Sequence, residues 1–448
     1  MAAAAVIAVA SLVRFATPPW RDPANPARTQ AGPVRDDYEY TIYLKRGAWA
    51  PTGLRPYVDV FSEYPPVATW IFGIPFFLVK PEHAPARAML GALDTAAPTS
   101  PVALAYGNAW AVLMAIAWFS VAAVTAQLAR ALELSPTRAL LCLGPASLYC
   151  ALQRFDPLPA LAASSALLAI LSGRFRWGFV FLALGAMLKI YPAVLAPLAF
   201  GYVAKRAGWR EAFAAAAVFV GVLVLAHIPP FLSGWNDPAW SAPWRPQHFA
   251  GVDLAVTPPT PARSGLAAVG VPFVFQGERD TNPGSLAERL FRGWLALPYD
   301  QLLAGVKVFR IVQLAPALLA FFLGWYRPQP KTLLAASAVL VTSFVLFHNI
   351  YSPQFQCWIV PLAAVAGGGL VGVFACALAL SADLVTYLQF PIFGAQRIFD
   401  PKTQQNVYPA GFQTMVDLRL LLTTALLGTL LWLALRGARE SQLSAEAS

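Results

Sequence analysis

Phe179-Val180-Phe181-Leu182-Ala183-Leu184-Gly185-Ala186-Met187-Leu188-Lys189-Ile190-Tyr191-Pro192, running on apolar to Phe200, is the stretch whose reading decides the fold. A single lysine stands in sequence apolar enough for the interior of a bilayer, and the run is broken only by Tyr191-Pro192. An ionisable group at membrane depth costs about 2.5–3.5 kcal/mol on insertion scales, so it marks function unless its side chain snorkels to an interface. If the stretch is a helical hairpin folded at Pro192, Lys189 lands at the outer end of a bundle. There its ammonium can neutralise a lipid phosphate.

The rest of the chain has the same character. Hydrophobic residues make up 58% of 448 positions and charged residues 12%, about half the charged share of a soluble globular chain. Mean hydropathy is +0.57. Apolar runs recur at about 101–128, 139–152, 157–173, 177–189, 191–204, 212–232, 303–325, 332–348, 356–366, 370–391 and 412–435. With the segment Met1 to Val13, read as a first transmembrane helix with its start cut short, they make twelve. A signal peptide is disfavoured there because no basic segment precedes the apolar one. Several runs are short for a perpendicular span, so their ends belong at interfaces or in protein-lined cavities. Val67 to Val79, after Pro65-Pro66, is about as long as an interfacial helix.

The net charge of +10 matters less than its distribution. If the 67–79 run does not cross and the N-terminus is cytoplasmic, the short inside loops hold Arg130 and Arg138, Arg174 and Arg176, Lys205, Arg206 and Arg210, Arg327 and Lys331, then Arg436 and Arg439. Every short basic loop then falls on one side, as the positive-inside rule requires. The other face receives the acidic loop 17–66, Arg154-Phe155-Asp156, Lys189 to Pro192, the long loop 233–302, His348 to Gln354, and 392–411. Trp235, Trp240, Trp244 and Trp294 suit a loop lying at headgroup level and roofing a cavity. No basic run points to nucleic acid. Cys142, Cys150, Cys357 and Cys376 all lie in or beside apolar segments and read as small core residues.

The stretch 35–66 holds five of the 22 acidic residues, Asp36, Asp37, Glu39, Asp59 and Glu63, amid tyrosines and prolines. Singly each is unremarkable as solvated charge. Together they offer a general base, which must sit within hydrogen-bond reach of the hydroxyl it deprotonates. A phosphate leaving group departs as a stable anion and needs cations, not a second acid. Arg154 supplies a forked donor that Asp156 can hold in place, although a local ion pair at a helix junction explains both as well. His348 suits phosphate or sugar contact, proton exchange, or a plain hydrogen bond at a helix end. Asp383 reads as a partner for a cation in a cavity.

Asp36-Asp37-Tyr38-Glu39-Tyr40, Gly53-Leu54-Arg55-Pro56-Tyr57, Glu63-Tyr64-Pro65-Pro66, Arg154-Phe155-Asp156, Gly185 through Lys189-Ile190-Tyr191-Pro192 and Ser352-Pro353-Gln354 together resemble glycosyltransferase family 87. That family holds polyprenyl-phosphate-mannose-dependent mannosyltransferases of the GT-C superfamily. The blocks follow family order from about residue 36 to 366. The resemblance implies a GT-C fold, an inverting reaction on the non-cytoplasmic face and a catalytic Asp in the first outer loop. The shorter carboxylate favours Asp37, then Asp36; the ungapped register favours Glu39. Lys189, Arg154, His348 and Tyr191 are the expected phosphate-binding set, with Tyr57, Asp59, Glu63, Tyr64, Asp156 and Gln354 binding substrate or supporting.

The expected molecule is therefore an all-α polytopic membrane protein with about twelve transmembrane helices. One GT-C-like domain spans 1–440, outer loops 17–100 and 233–302 roof the site, and 441–448 form a short cytoplasmic tail. It would move mannose from a polyprenyl-phosphate donor to a lipid or glycan hydroxyl at the outer face of a bacterial inner membrane. No cofactor is expected, although Asp36, Asp37 and Asp59 can hold a divalent cation weakly. A transporter or flippase for a lipid-linked or polar substrate, using Arg154, Lys189 and Asp383 at mid-depth, is the alternative. A non-catalytic subunit of an envelope-assembly complex is a third.

Overall fold

A computed structural model of the chain describes residues 37–53, 55–57, 62–79, 101–232, 265–278, 281–394, 398–400 and 405–446. The N-terminal segment, Asp36, Asp59, Trp235, Trp240 and Trp244 lie outside them. The principal helices are α1 Asp37–Arg46, α2 Pro66–Val79, α3 Pro101–Ala131, α4 Pro145–Gln153, α5 Pro157–Leu171, α6 Phe175–Leu188 and α7 Ala196–Ala207. They continue with α8 Trp209–Leu232, α9 Gly265–Glu278, α10 Tyr299–Tyr326, α11 Pro330–Leu346, α12 Gln356–Val365, α13 Gly369–Tyr387 and α14 Ala410–Glu446. A short antiparallel pair, β1 Ile398–Asp400 with β2 Gln405–Val407, interrupts this helical order. Helix α14 runs straight through the boundary expected at 440.

Among the described residues α3, α8, α10, α13 and α14 carry stretches long and apolar enough to cross a membrane. The bent pair α4 and α5 makes a sixth candidate. The protein is thus a polytopic helical membrane protein, with fewer span-length helices than apolar runs. Packing explains the difference. In hydrocarbon a helix end leaves backbone groups unpaired, so a short apolar helix must end inside protein. All ten residues of α12 are buried, as are nearly all of α11 from Thr332 to Leu346. The long helices form the rim instead: α8 exposes Phe213, Val220, Val224 and Leu225, and α10 exposes Val308, Ile311, Leu318 and Leu319.

Two prolines make the breaks that matter. A proline inside a helix removes one N–H and drives its ring against the carbonyl four residues earlier. Helix α4 stops at Gln153, four before Pro157, and α6 stops at Leu188, four before Pro192. The first break bends the chain by 111° between α4 and α5. The Gln153 carbonyl, which has no N–H to accept from at Pro157, takes a hydrogen bond from Trp110 Nε1 at 3.2 Å. After the second break Lys189 is extended, with φ −150° and ψ 143°. A 3-10 turn at Tyr191–Leu195 then leads into α7, so the expected hairpin forms.

Lipid gives helices little hydrophobic reason to associate, so small residues that let backbones approach carry the packing. Helices α7 and α10 cross at Gly201 and Gly324. A Cβ on Gly201 would lie 2.2 Å from the Phe321 carbonyl oxygen, and one on Gly324 would lie 2.3 Å from that of Leu198.

The basic loops do gather. Arg176 grips Glu211 with two hydrogen bonds, at 3.0 and 2.9 Å. Lys205 and Trp209 both pack on Trp325. Arg327 donates to the Leu435 carbonyl at 3.0 Å, and Arg138 donates to that of Gly367, beside Leu433. From this end the 14 residues of α6 climb about 21 Å, at about 1.5 Å per residue, to Lys189. Helices α5, α11 and α14 likewise put Asp156, His348 and Asp417 at the end away from the arginines.

The glycine crossing yields a sharp expectation. Gly201→Leu and Gly324→Leu should each destabilise the detergent-solubilised protein by at least the ~1–3 kcal/mol typical of overpacking. Gly221→Leu, where a Cβ meets nothing within 4 Å, should leave thermal unfolding nearly unchanged. Equal effects at all three positions would contradict the backbone-to-backbone crossing.

Candidate functional site

The two proline breaks bring their polar residues to one place. Lys189 Nζ lies 2.7 Å from Asp156 Oδ1, and Trp358 Nε1 donates to the same oxygen at 2.8 Å. Asp156, read from the sequence as the group that holds Arg154, is therefore the ion-pair partner of Lys189. Arg154 Nη1 donates to Gln354 Oε1 at 2.5 Å, and its guanidinium carbon lies 5.3 Å from the Phe390 ring centroid. Asp156 and Arg154 are buried, while the Lys189 side chain is 16% exposed. The ammonium thus stands at the rim of the cluster.

An aromatic box surrounds that ammonium. The rings of Phe155, Trp358 and Phe355 are centred 4.5, 5.1 and 6.0 Å from Nζ. Ring faces attract a cation most strongly where water is excluded, so the box is a favourable seat for the Lys189 side chain. Tyr191 stacks on Trp358 at 4.1 Å, and its hydroxyl is buried with no hydrogen-bond partner. His348 sits beside Phe355. Its Nδ1 accepts from the Ile350 amide at 3.0 Å, which fixes the ring at the end of α11.

Phe155 also joins the box to the acidic loop. It packs edge-on against Tyr43, Tyr64 and Phe72 at 5.2–5.6 Å, so α1 is docked directly on the Arg154 to Asp156 break. Asp37 and Glu39 fall in the first turns of α1; the helical register puts position 39 one turn before Tyr43. Among the described residues of the loop, Arg46, Tyr57, Glu63 and Tyr64 hold its shape. Glu63 pairs with Arg46 at 2.7 Å, both buried. The Tyr57 hydroxyl donates to the Tyr64 carbonyl at 2.5 Å and meets Thr69 Oγ1 at 3.0 Å. Burial holds that hydroxyl well above the usual phenol range, so it stays protonated. Tyr57, Glu63 and Tyr64 thus take part in contacts that shape the loop.

Asp383 takes a different part from the one expected. Its carboxylate accepts from the Ala146 and Ser147 amides, both at 2.8 Å. These are the open N–H groups at the start of α4, where a negative charge is favoured. Asp383 therefore anchors the start of the helix whose other end carries Arg154.

Trp358 and several polar residues of the neighbouring segments were not singled out in the sequence. Trp358 closes the box. Arg419, inside an apolar run, is completely buried with its guanidinium 3.7 Å from the Tyr351 ring centroid. A charged residue within such a run was the available signal. Asn282 binds the Tyr351 backbone on both sides, at 3.0 and 3.1 Å. Arg289 grips Asp417 at 2.7 and 2.6 Å. Segment 281–289 is in this way strapped over α14 and the 349–351 turn. Among the described residues no three His, Cys, Asp or Glu side chains converge as a metal site.

No family model matches the chain, and no curated protein sequence matches it significantly.

The ion pair can be tested by a double-mutant cycle. Asp156→Asn and Lys189→Gln should each lower the unfolding temperature. The double variant should lose less than the sum, with a coupling of about 0.5–3 kcal/mol, as for residues in direct contact. Strict additivity would mean that the two groups do not interact.

Proposed function

We propose that the chain is a GT-C-type membrane glycosyltransferase that moves mannose from a polyprenyl-phosphate donor to a hydroxyl of a lipid or glycan acceptor, with inversion. The observation that carries this reading is the meeting of Arg154, Lys189 and Gln354 in one cluster beneath α1. Lys189 lies 33 positions from Asp156, and Gln354 lies 200 from Arg154. All belong to the short blocks that resemble the family, and all stand at the end of the bundle away from the basic loops. By the positive-inside rule that end is non-cytoplasmic, at the outer face of a bacterial inner membrane. The twelve-segment GT-C bundle, with α2 lying in the interface, is part of the same proposal.

In the reaction the acceptor hydroxyl gives its proton to a carboxylate of the acidic loop, Asp37, Asp36 or Glu39. Its oxygen bonds to C1 of the sugar as the bond from C1 to the phosphate oxygen breaks. The electron pair leaves on the lipid phosphate, which Lys189 and Arg154 receive. Charged donors already fixed in a water-poor site need little reorganisation as that charge develops. Tyr191 and His348 line the same region, and Asp156 and Trp358 keep Lys189 aimed at it. A transporter would need Asp383 as a third binding charge at mid-depth, and that carboxylate is already taken by α4.

Purified protein incubated with labelled polyprenyl-phosphate mannose and membrane lipid extract should transfer label to a lipid or glycan. Lys189→Gln and Arg154→Gln should each cut transfer by about 100-fold or more, the usual loss for one transition-state donor. Of Asp36→Asn, Asp37→Asn and Glu39→Gln, one alone should abolish it. Full transfer by all three carboxylate variants would sink the mechanism, and no transfer by the parent protein with any extract would sink the reading.

A further inference from the structure

We infer that Arg419 anchors a second phosphate site, separate from the Lys189 and Arg154 cluster and independent of the glycosyl-transfer reading. Arg419 projects from α14 into the bundle and is wholly buried. Its Nη2 donates to the Gly284 carbonyl and its plane lies against Tyr351. Nε and Nη1 are buried without a hydrogen-bond partner. The nearest acid in sequence, Asp417, is held by both arms of Arg289. Among the described residues, then, no carboxylate pairs with this guanidinium. A cation taken out of water without a counter-charge is one of the costliest groups a protein can bury. Arginine cannot shed its proton to relieve that cost.

An unmet acceptor stands beside the same tyrosine. Gln356 gives its amide nitrogen to the Tyr351 hydroxyl at 3.3 Å and to Thr386 Oγ1 at 2.9 Å, which leaves its Oε1 buried and unpartnered. Tyr351 itself is tied to Thr423 at 3.2 Å, one turn along α14 from Arg419. Among the described residues the surroundings of Tyr351 therefore lack an anion for two guanidinium nitrogens and a donor for one amide oxygen. A phosphate with one remaining P–OH supplies both, giving acceptor oxygens to Arg419 and a hydroxyl to a glutamine. A carboxylate supplies only the first. Two rings, Tyr351 and Phe355, separate this site from Lys189, so it is a second position and not the other half of the first.

Such a phosphate can be free or can be the headgroup of a lipid, and one experiment separates the sources. Full-length protein in neutral detergent, exchanged exhaustively into chloride, is melted in inorganic phosphate at matched ionic strength. It is then melted in mixed micelles of phosphatidic acid or of phosphatidylcholine. A ligand that binds only the folded state raises the melting temperature. The expected result is a rise of several degrees with phosphate, identifying a free anion, or with phosphatidic acid alone, identifying a lipid headgroup; phosphatidylcholine should give none. Arg419→Met should abolish the rise, and Gln356→Met should reduce it. If Arg419→Met does not fold, Arg419→Lys, which keeps the charge but loses donors, should diminish the rise. The Arg154→Gln/Lys189→Gln double variant should keep it. The site is refuted if neither phosphate source stabilises the parent protein, if the rise survives in Arg419→Met or is undiminished in Arg419→Lys, or if it vanishes in the Arg154/Lys189 double variant.

Discussion

The pair of Asp156 with Lys189 is the contact on which the organisation of this end of the molecule depends. Each residue sits where a helix has just been broken, Asp156 before α5 and Lys189 after α6. Their 2.7 Å bridge closes the antiparallel α5 and α6 hairpin at its open end. Trp358 ties the inner helix α12 to the same carboxylate. Two charges taken out of water repay their desolvation only when the geometry is good and further hydrogen bonds complete it. The Trp358 indole adds one such hydrogen bond to the bridging oxygen, and its ring with those of Phe155 and Phe355 lines the ammonium. The bridge to Asp156 fixes the direction of the Lys189 side chain and leaves it partly exposed.

The prolines explain why such polar chemistry exists so close to apolar helices. Irregular backbone is tolerated at membrane depth only where protein or a polar cavity surrounds it. Pro157 and Pro192 each end a helix four residues early and so create two short irregular segments. The bundle satisfies them with side chains, as Trp110 does for the Gln153 carbonyl. At the other end of α4, Asp383 fills the same need. The acidic loop follows this pattern: the Arg46 and Glu63 pair and the Tyr57 hydroxyl fix its path, and that docks α1 onto Phe155.

Much of this was legible in the sequence. The apolar runs, the hairpin at Pro192 and the segregation of the short basic loops follow from composition and proline chemistry, which act locally. Pairings across the chain were not legible. Nothing in Arg154-Phe155-Asp156 says that the aspartate serves Lys189 while the arginine serves Gln354, because those choices are made by helix packing. Arg419 drew no notice because it stands near the start of the 412–435 run, two residues after Asp417, where a charged residue reads as the edge of an ordinary span. The difference between rim and interior was hidden too: a short helix apolar all round and a long one share a composition, and burial is decided by whether their ends can be satisfied in lipid. Of the acids expected to act as base, Asp36 lies outside the described residues, and the backbone of α1 places Asp37 and Glu39 in its first turns.

The central claim is that the Lys189 cluster and the basic loops lie at opposite ends of one membrane-crossing bundle. Single cysteines at two exposed positions of one hairpin, Ile190 and Trp177, test it directly with a membrane-impermeant maleimide. The native Cys142, Cys150 and Cys357 are buried and Cys376 is half-buried, and replacing all four removes any background. In intact cells the reagent should label position 190 and spare position 177. In inverted membrane vesicles the pattern should reverse. Labelling of both positions from the same side would contradict the account.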